Sequence, residues 1–196
     1  MPQRPSRSLA WLGALVALGA SLAAAARPAT HKEGPPPAHT GGFGEPTCHQ
    51  CHFDAGLNEP GGEVEIGGAP DRYQPGRTVE LIVSLKRAGM QRAGFQLAAR
   101  FAEGGAAGAQ AGWLSPSDAR TALVWDSVTH VGYIGHTPAG TAVAGGAARW
   151  TFRWTAPVRP PGAVVFHVAA NAANDDDSPL GDFIYTSAIR VLMARR

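Results

Sequence analysis

From Arg77 onward, apolar and polar residues exchange places at every second position. Val79, Leu81, Val83 and Leu85 alternate with Glu80, Ile82, Ser84 and Lys86, the period of a strand with one buried face. Phe95, Leu97, Ala99 and Phe101 repeat the pattern, and Trp150, Phe152 and Trp154 share a face opposite Thr151 and Arg153. Shorter apolar runs at Leu123–Trp125 and Val131–Ile134, then Val164, Phe166 and Val168, and finally Ile184–Met193, complete the series. Tyr73-Gln74-Pro75-Gly76 reads as a turn before the first of these strands. No segment sustains a 3.6-residue apolar period, and no internal repeat is present. About seven or eight strands joined by Gly, Pro and Asp turns predict an all-β antiparallel sandwich.

The N-terminus follows a different pattern. Arg4 and Arg7 precede an apolar run from Leu9 to Ala20, which ends at Ala24-Ala25-Ala26. That order is a secretory signal peptide over residues 1–26, cleaved after Ala26. The run is shorter than the ~20 residues a bilayer span needs, so no membrane span is expected in the mature chain, which is periplasmic or secreted. Residues 27–47 carry a Pro-Pro-Pro run and paired glycines and read as a Pro/Gly-rich linker, with His31 and His39 solvated. The chain has 17 Lys+Arg against 15 Asp+Glu, and without Arg4 and Arg7 the two are equal. The basic residues form no stripe, so nucleic-acid binding is not supported.

Both cysteines lie in Cys48-His49-Gln50-Cys51-His52, the C-x-x-C-H spacing of c-type haem attachment. Two thiols at this spacing add across the two vinyl groups of one haem, and His52 is then held beneath the iron as proximal ligand. Attachment of this kind takes place after export, in agreement with the signal peptide. A disulfide and a zinc half-site compete with this reading. Zinc needs two further ligands, and a redox disulfide of the thioredoxin type calls for a βαβ unit that the pattern lacks. His49, inside the loop, is expected to be exposed.

Four residues are candidates for the sixth iron position. His136 stands where a strand runs into Thr137-Pro138-Ala139-Gly140, at the rim of the sandwich, and is the expected ligand. Met90, a loop methionine, His130 and His167 are the alternatives. On a regular strand His130 and His136 are ~20 Å apart, too far to serve one iron. His167 alternates against Val164, Phe166 and Val168 and reads as an outward-facing surface histidine.

Gly94-Phe95-Gln96-Leu97, Tyr133-Ile134-Gly135-His136-Thr137, Trp154-Thr155-Ala156-Pro157, Gly162, Phe166 and the Asn171…Asn174…Gly181-Asp182 stretch together resemble the bacterial reelin-like domain, also called choice-of-anchor V. The resemblance spans roughly residues 42–192. It implies an immunoglobulin-like sandwich preceded by a Cys-x-x-Cys-His segment, and a His-Thr pair where His136-Thr137 stands. Many members continue into a C-terminal sorting or membrane segment, whereas this sequence ends at Met193-Ala194-Arg195-Arg196, so the resemblance does not carry a surface anchor.

The expected organisation is a signal peptide (1–26), a linker (27–47), a haem-attachment segment (48–62) and a β-sandwich (63–193). The acidic loop from Asp175 to Asp182 offers oxygen ligands for calcium but lacks EF-hand spacing, and reads as a solvated hairpin loop. Taken together these features predict an exported monohaem c-type cytochrome that exchanges one electron with a redox partner protein, or senses through its haem. Its residues would be Cys48 and Cys51 for attachment, His52 proximal and His136 distal. A non-redox adhesion or partner-binding module, in which haem or zinc only staples the N-terminal segment, is the alternative. An enzyme or gas sensor would require an open sixth position.

Overall fold

A computed structural model describes His31 and residues 33–195. The expected signal peptide and the first linker residues lie outside the described residues. Ten strands follow in order: β1 (Gly62–Gly67), β2 (Arg72–Tyr73), β3 (Thr78–Arg87), β4 (Arg92–Phe101), β5 (Trp113–Pro116), β6 (Thr121–Asp126), β7 (Val131–His136), β8 (Ala147–Thr155), β9 (Val164–Ala173) and β10 (Phe183–Met193). They form a small sheet, β1-β3-β8-β5, packed on a large one, β2-β10-β9-β4-β7-β6. β2 joins β10 in parallel, and the other pairings described are antiparallel. This is the all-β sandwich that the alternation predicts. Among the described residues no helix is long and apolar enough to cross a membrane.

The core lies between the sheets. Leu81 pairs with Phe152, Val83 with Trp150 and Val79 with Trp154 across β3 and β8, and the three aromatic residues of β8 are fully buried. From the large sheet, Phe95 packs on Trp150 with ring centroids 4.5 Å apart, and Phe166 meets Trp154 edge-on at 5.0 Å. Neither indole N–H is stranded: Trp150 donates to the Gly140 carbonyl at 2.7 Å and Trp154 to that of Ala111 at 2.9 Å. Burying these rings without such partners would cost the desolvation of each N–H.

One departure from the sequence reading positions everything that follows. The alternation makes β4 a half-buried strand, yet both of its faces are buried, including Gln96, Ala98 and Arg100. The cover is the segment read as a linker. Gln96 donates to the Pro36 carbonyl at 2.7 Å and accepts from the His39 N–H at 2.8 Å. Ala38 packs on a second small apolar cluster of Ala98, Val131 and Tyr133, on the outer face of the large sheet. Glu45 then meets the Arg100 guanidinium, and the Tyr133 hydroxyl donates to the same carboxylate oxygen. Thr40 donates its hydroxyl to the other oxygen at 2.6 Å. His39 is accordingly not a free linker residue: its ring contacts the Pro37 carbonyl at 2.8 Å and the Gln50 side chain at 3.0 Å.

Candidate functional site

The Cys-x-x-Cys-His segment follows this cover directly. Thr47 caps a short 3-10 turn, Cys48–Gln50, by accepting the His49 N–H on its hydroxyl at 3.1 Å. The N–H groups of Cys51 and His52 both return to the Cys48 carbonyl, so the two cysteines stand on one tight turn with His52 at its exit. The chain beyond is pinned to β10 and to the loop before it. Asp54 accepts the Gly181 N–H at 3.0 Å, Asn58 donates its N–H to the Ile184 carbonyl at 2.9 Å, and its side chain exchanges hydrogen bonds with Thr186. His49, expected in solvent, is part-buried and contacts the Ala55 carbonyl at 2.8 Å.

His52 is held by a carboxylate. Its Nδ1 lies 2.7 Å from Oδ2 of Asp182, whose side chain is only 2% exposed against 26% for His52. Asp182 is itself fixed by the Asn174 N–H at 3.2 Å and by the Asn171 amide, which donates to Oδ2 at 3.1 Å. A ring that gives its Nδ1–H to a carboxylate keeps its lone pair on Nε2, the arrangement of histidines that bind metals.

His136 ends β7 on the same side. Its ring lies so close over Gly94 that a Cβ there would come within 2.5 Å of Cε1; only glycine leaves room. Gly94 is the register partner of Asn171 on the neighbouring strand, and Asn171 in turn touches His52 Nδ1 at 3.2 Å. The two histidines are thus brought over adjacent strands at the same level. His136 Nδ1 accepts the Phe95 N–H at 3.0 Å, and Nε2 lies 3.3 Å from the His31 carbonyl. In that tautomer Nε2 carries the proton, so ligation through Nε2 requires His31 to move aside and Nδ1–H to turn to the Phe95 carbonyl, 3.3 Å away. Burial holds the His136 pKa below that of a free imidazole, despite the opposing hydrogen bonds with Phe95 and His31.

Cys51, His52, Gly94, His136, Asn171 and Asp182 line one open cleft of about 140 Å³, with Arg92 and Asp175–Asp177 also on its walls. Cys48 is not among the lining residues, and burial pushes its thiol up to about 12, with Cys51 adding to the effect. Both cysteines are free thiols. One imidazole with an oriented, available Nε2, a second imidazole and a thiol in one cleft fit a haem attached through the segment. The fit is incomplete at Cys48, which reaches a group in the cleft only if the turn reorients or forms after attachment.

The other candidates stand elsewhere. Met90 is not a loop methionine open to a ligand; it is 6% exposed and belongs to the core. His130 sits in the turn before β7 at φ 56°, exposed and away from the cleft. His167 does face outward from β9, but Gly42 and Phe43 cover it: a Cβ on Gly42 would lie 2.6 Å from its ring, and the Phe43 ring meets it edge-on at 5.4 Å. The acidic loop spends its oxygens on its own turns, with Asn174 accepting from the Asp176 N–H and Asp176 from the Ser178 N–H. Asp175 makes a two-point contact with Arg92. Among the described residues no three His, Cys, Asp or Glu side chains converge to hold a metal ion. Nothing local in the sequence marks Asp182 as the partner of His52, although it belongs to the Asn171…Asn174…Gly181-Asp182 stretch.

No family model matches the chain, and no curated protein matches it. Among solved structures, the human F-spondin reeler domain is similar at 18% identity and a TM-score of 0.47, over 71% of this chain and 93% of that one. A cohesin module from a Clostridium perfringens family 33 glycoside hydrolase is similar at 13% identity and a TM-score of 0.48, over 69% of this chain and 98% of its own. The Reelin-N domain of F-spondin matches at 20% identity and a TM-score of 0.45, over 75% of this chain and 97% of that domain. The similarity is one of sandwich architecture.

Proposed function

We propose that the protein is an exported monohaem c-type cytochrome that exchanges single electrons with a redox partner protein. The observation that carries this reading is the presence of Cys51, His52 and His136 in one cleft, with His52 Nδ1 tied to buried Asp182 so that Nε2 is available. Cys48 and Cys51 would attach the haem, and His52 and His136 would ligate its iron. A bound haem iron supplies reversible one-electron chemistry there. The chain's own contribution is to anchor the macrocycle covalently, to orient two imidazoles, and to keep the ligand segment fixed on the sandwich so that little rearranges as charge changes. The competing reading, a haem or zinc that merely staples the N-terminal segment to an adhesion module, meets a specific difficulty. The contacts of Gln96, Glu45, Asp54 and Asn58 themselves tie that segment to the sandwich.

The test is expression with export and haem-attachment machinery. The expected product begins after Ala26, is heavier than its polypeptide by one haem, stays coloured on denaturation and shows a low-spin, six-coordinate spectrum. His136→Ala then moves the spectrum toward high spin and admits carbon monoxide, while Met90→Ala and His130→Ala do not. A colourless protein, with zinc or a Cys48–Cys51 disulfide instead, overturns the proposal.

A further inference from the structure

We propose that Asp182 is the positioning residue for His52: through its hydrogen bond to Nδ1 it fixes the ring and lowers the reduction potential of the iron that Nε2 would ligate. This rests on the cytochrome reading. Asp182 is 2% exposed and lies 130 positions from His52 in sequence, so the 2.7 Å contact is a product of the fold and not of local chain geometry. A backbone carbonyl would orient the ring equally well, but a carboxylate also carries charge. It makes the imidazole a stronger donor, and outer-shell hydrogen bonding is one of the levers by which a protein sets a haem potential. With a haem bound, a carboxylate one hydrogen bond away from the ligand would disfavour the loss of positive charge at the iron that one-electron reduction entails. In the interior such a charge is screened far less than on the surface. Asn171 moderates the effect, because its amide donates to the same Oδ2 at 3.1 Å and draws part of the negative charge away from His52.

Two substitutions therefore shift the potential in opposite directions. Asp182→Asn keeps the shape and an acceptor for His52 Nδ1–H but removes the charge, and raises the midpoint potential. Asn171→Ala removes the competing donor and lowers it. Asp177→Asn, a charge loss on the same cleft without a bond to His52, is the control for charge alone and gives a smaller rise. The measurement is a spectroelectrochemical titration of the purified haem-loaded proteins, with low-spin spectra confirming that both axial ligands remain. A shift in Asp182→Asn no larger than in Asp177→Asn, or shifts of the same sign in Asp182→Asn and Asn171→Ala, overturns the role of Asp182 and leaves the cytochrome reading standing. If Asp182→Asn does not fold, Asn171→Ala alone decides by its sign. A parent protein that takes up no haem overturns both.

Discussion

Replacing Glu45 by Ala tests how the N-terminal segment is held. Its carboxylate receives the Arg100 guanidinium, the Tyr133 hydroxyl and the Thr40 hydroxyl, and the two charged side chains are 9% and 6% exposed. Arg100 Nε already has no partner, so without Glu45 the guanidinium would be buried with its charge uncompensated. Removing one member of a buried pair costs about 3–5 kcal/mol. With a urea m-value of about 2 kcal/mol/M, that moves the unfolding midpoint down by roughly 1.5–2.5 M. The loss has a ceiling, because water reaches Arg100 once the segment lifts from β4, and beyond that point the cost stops growing. Hydrogen exchange is therefore measured alongside: the Gly41 N–H, bonded to the Pro46 carbonyl at 2.9 Å, and the Glu45 N–H, bonded to that of Gly42 at 3.1 Å, lose protection first. The triple change Glu45→Leu, Arg100→Met, Tyr133→Phe removes the ion pair and the Tyr133 hydroxyl together, leaves only the Thr40 donors without their acceptor, and recovers much of the stability. An unchanged midpoint together with unchanged exchange in Glu45→Ala would falsify the claim that this ion pair holds the segment.

Two further outcomes follow from the core and from the covered histidine. Trp154→Ala removes a fully buried ring and strands the Ala111 carbonyl, at a cost of about 3–5 kcal/mol; a melting temperature equal to that of the parent would show the inner face of β8 misassigned. His167 has its pKa held below that of a free imidazole, by burial first and by Arg100 second. The unfolded chain therefore takes up the proton at higher pH than the folded one, and the contribution of His167 to stability is complete above about pH 6.5 and declines on acidification below it. His167→Gln flattens that part of the stability–pH curve, and equal slopes in parent and variant between about pH 7 and 5 would refute the assignment.

The strands that pack one face on the core and show the other to water were readable, because water enforces the alternation. β3 and β8 are of this kind, and Trp150, Phe152 and Trp154 point inward as their spacing requires. β4 was readable as a strand but not as a fully buried one. Gln96, Ala98 and Arg100 look like a solvent face, and what covers them is a Pro/Gly-rich segment that docks by backbone carbonyls and one buried ion pair. Such a cover has no apolar periodicity to read. The same concealment changes His167 from a surface residue into a covered one. β2 and β5 escaped as strands because they span only Arg72–Tyr73 and Trp113–Pro116, too short for a period to develop, and Tyr73 was absorbed into a turn. Met90 follows a Gly89 turn, which suits a loop, yet its side chain returns to the core. At the cleft, the composition of Cys48–His52 and the rim position of His136 were legible from spacing and turn residues. Asp182 was not, since nothing local to it marks a partner so distant in the chain.

The docking of residues 48–58 onto the C-terminal strands also sets an order in time. Asn171 follows His52 by 119 positions, and Gly181 follows Asp54 by 127. A ribosome adding about 5–20 residues per second needs roughly 6–25 s to supply that surface after Cys51 has been made. Until then the turn bearing both thiols has nowhere to settle. Once it settles, Cys48 is a poor nucleophile, its thiol pushed up to about 12. The topology of the sandwich thus makes the Cys48–His52 turn late to take its folded place although it is made early, because the groups that hold it come from β9 and the loop before β10.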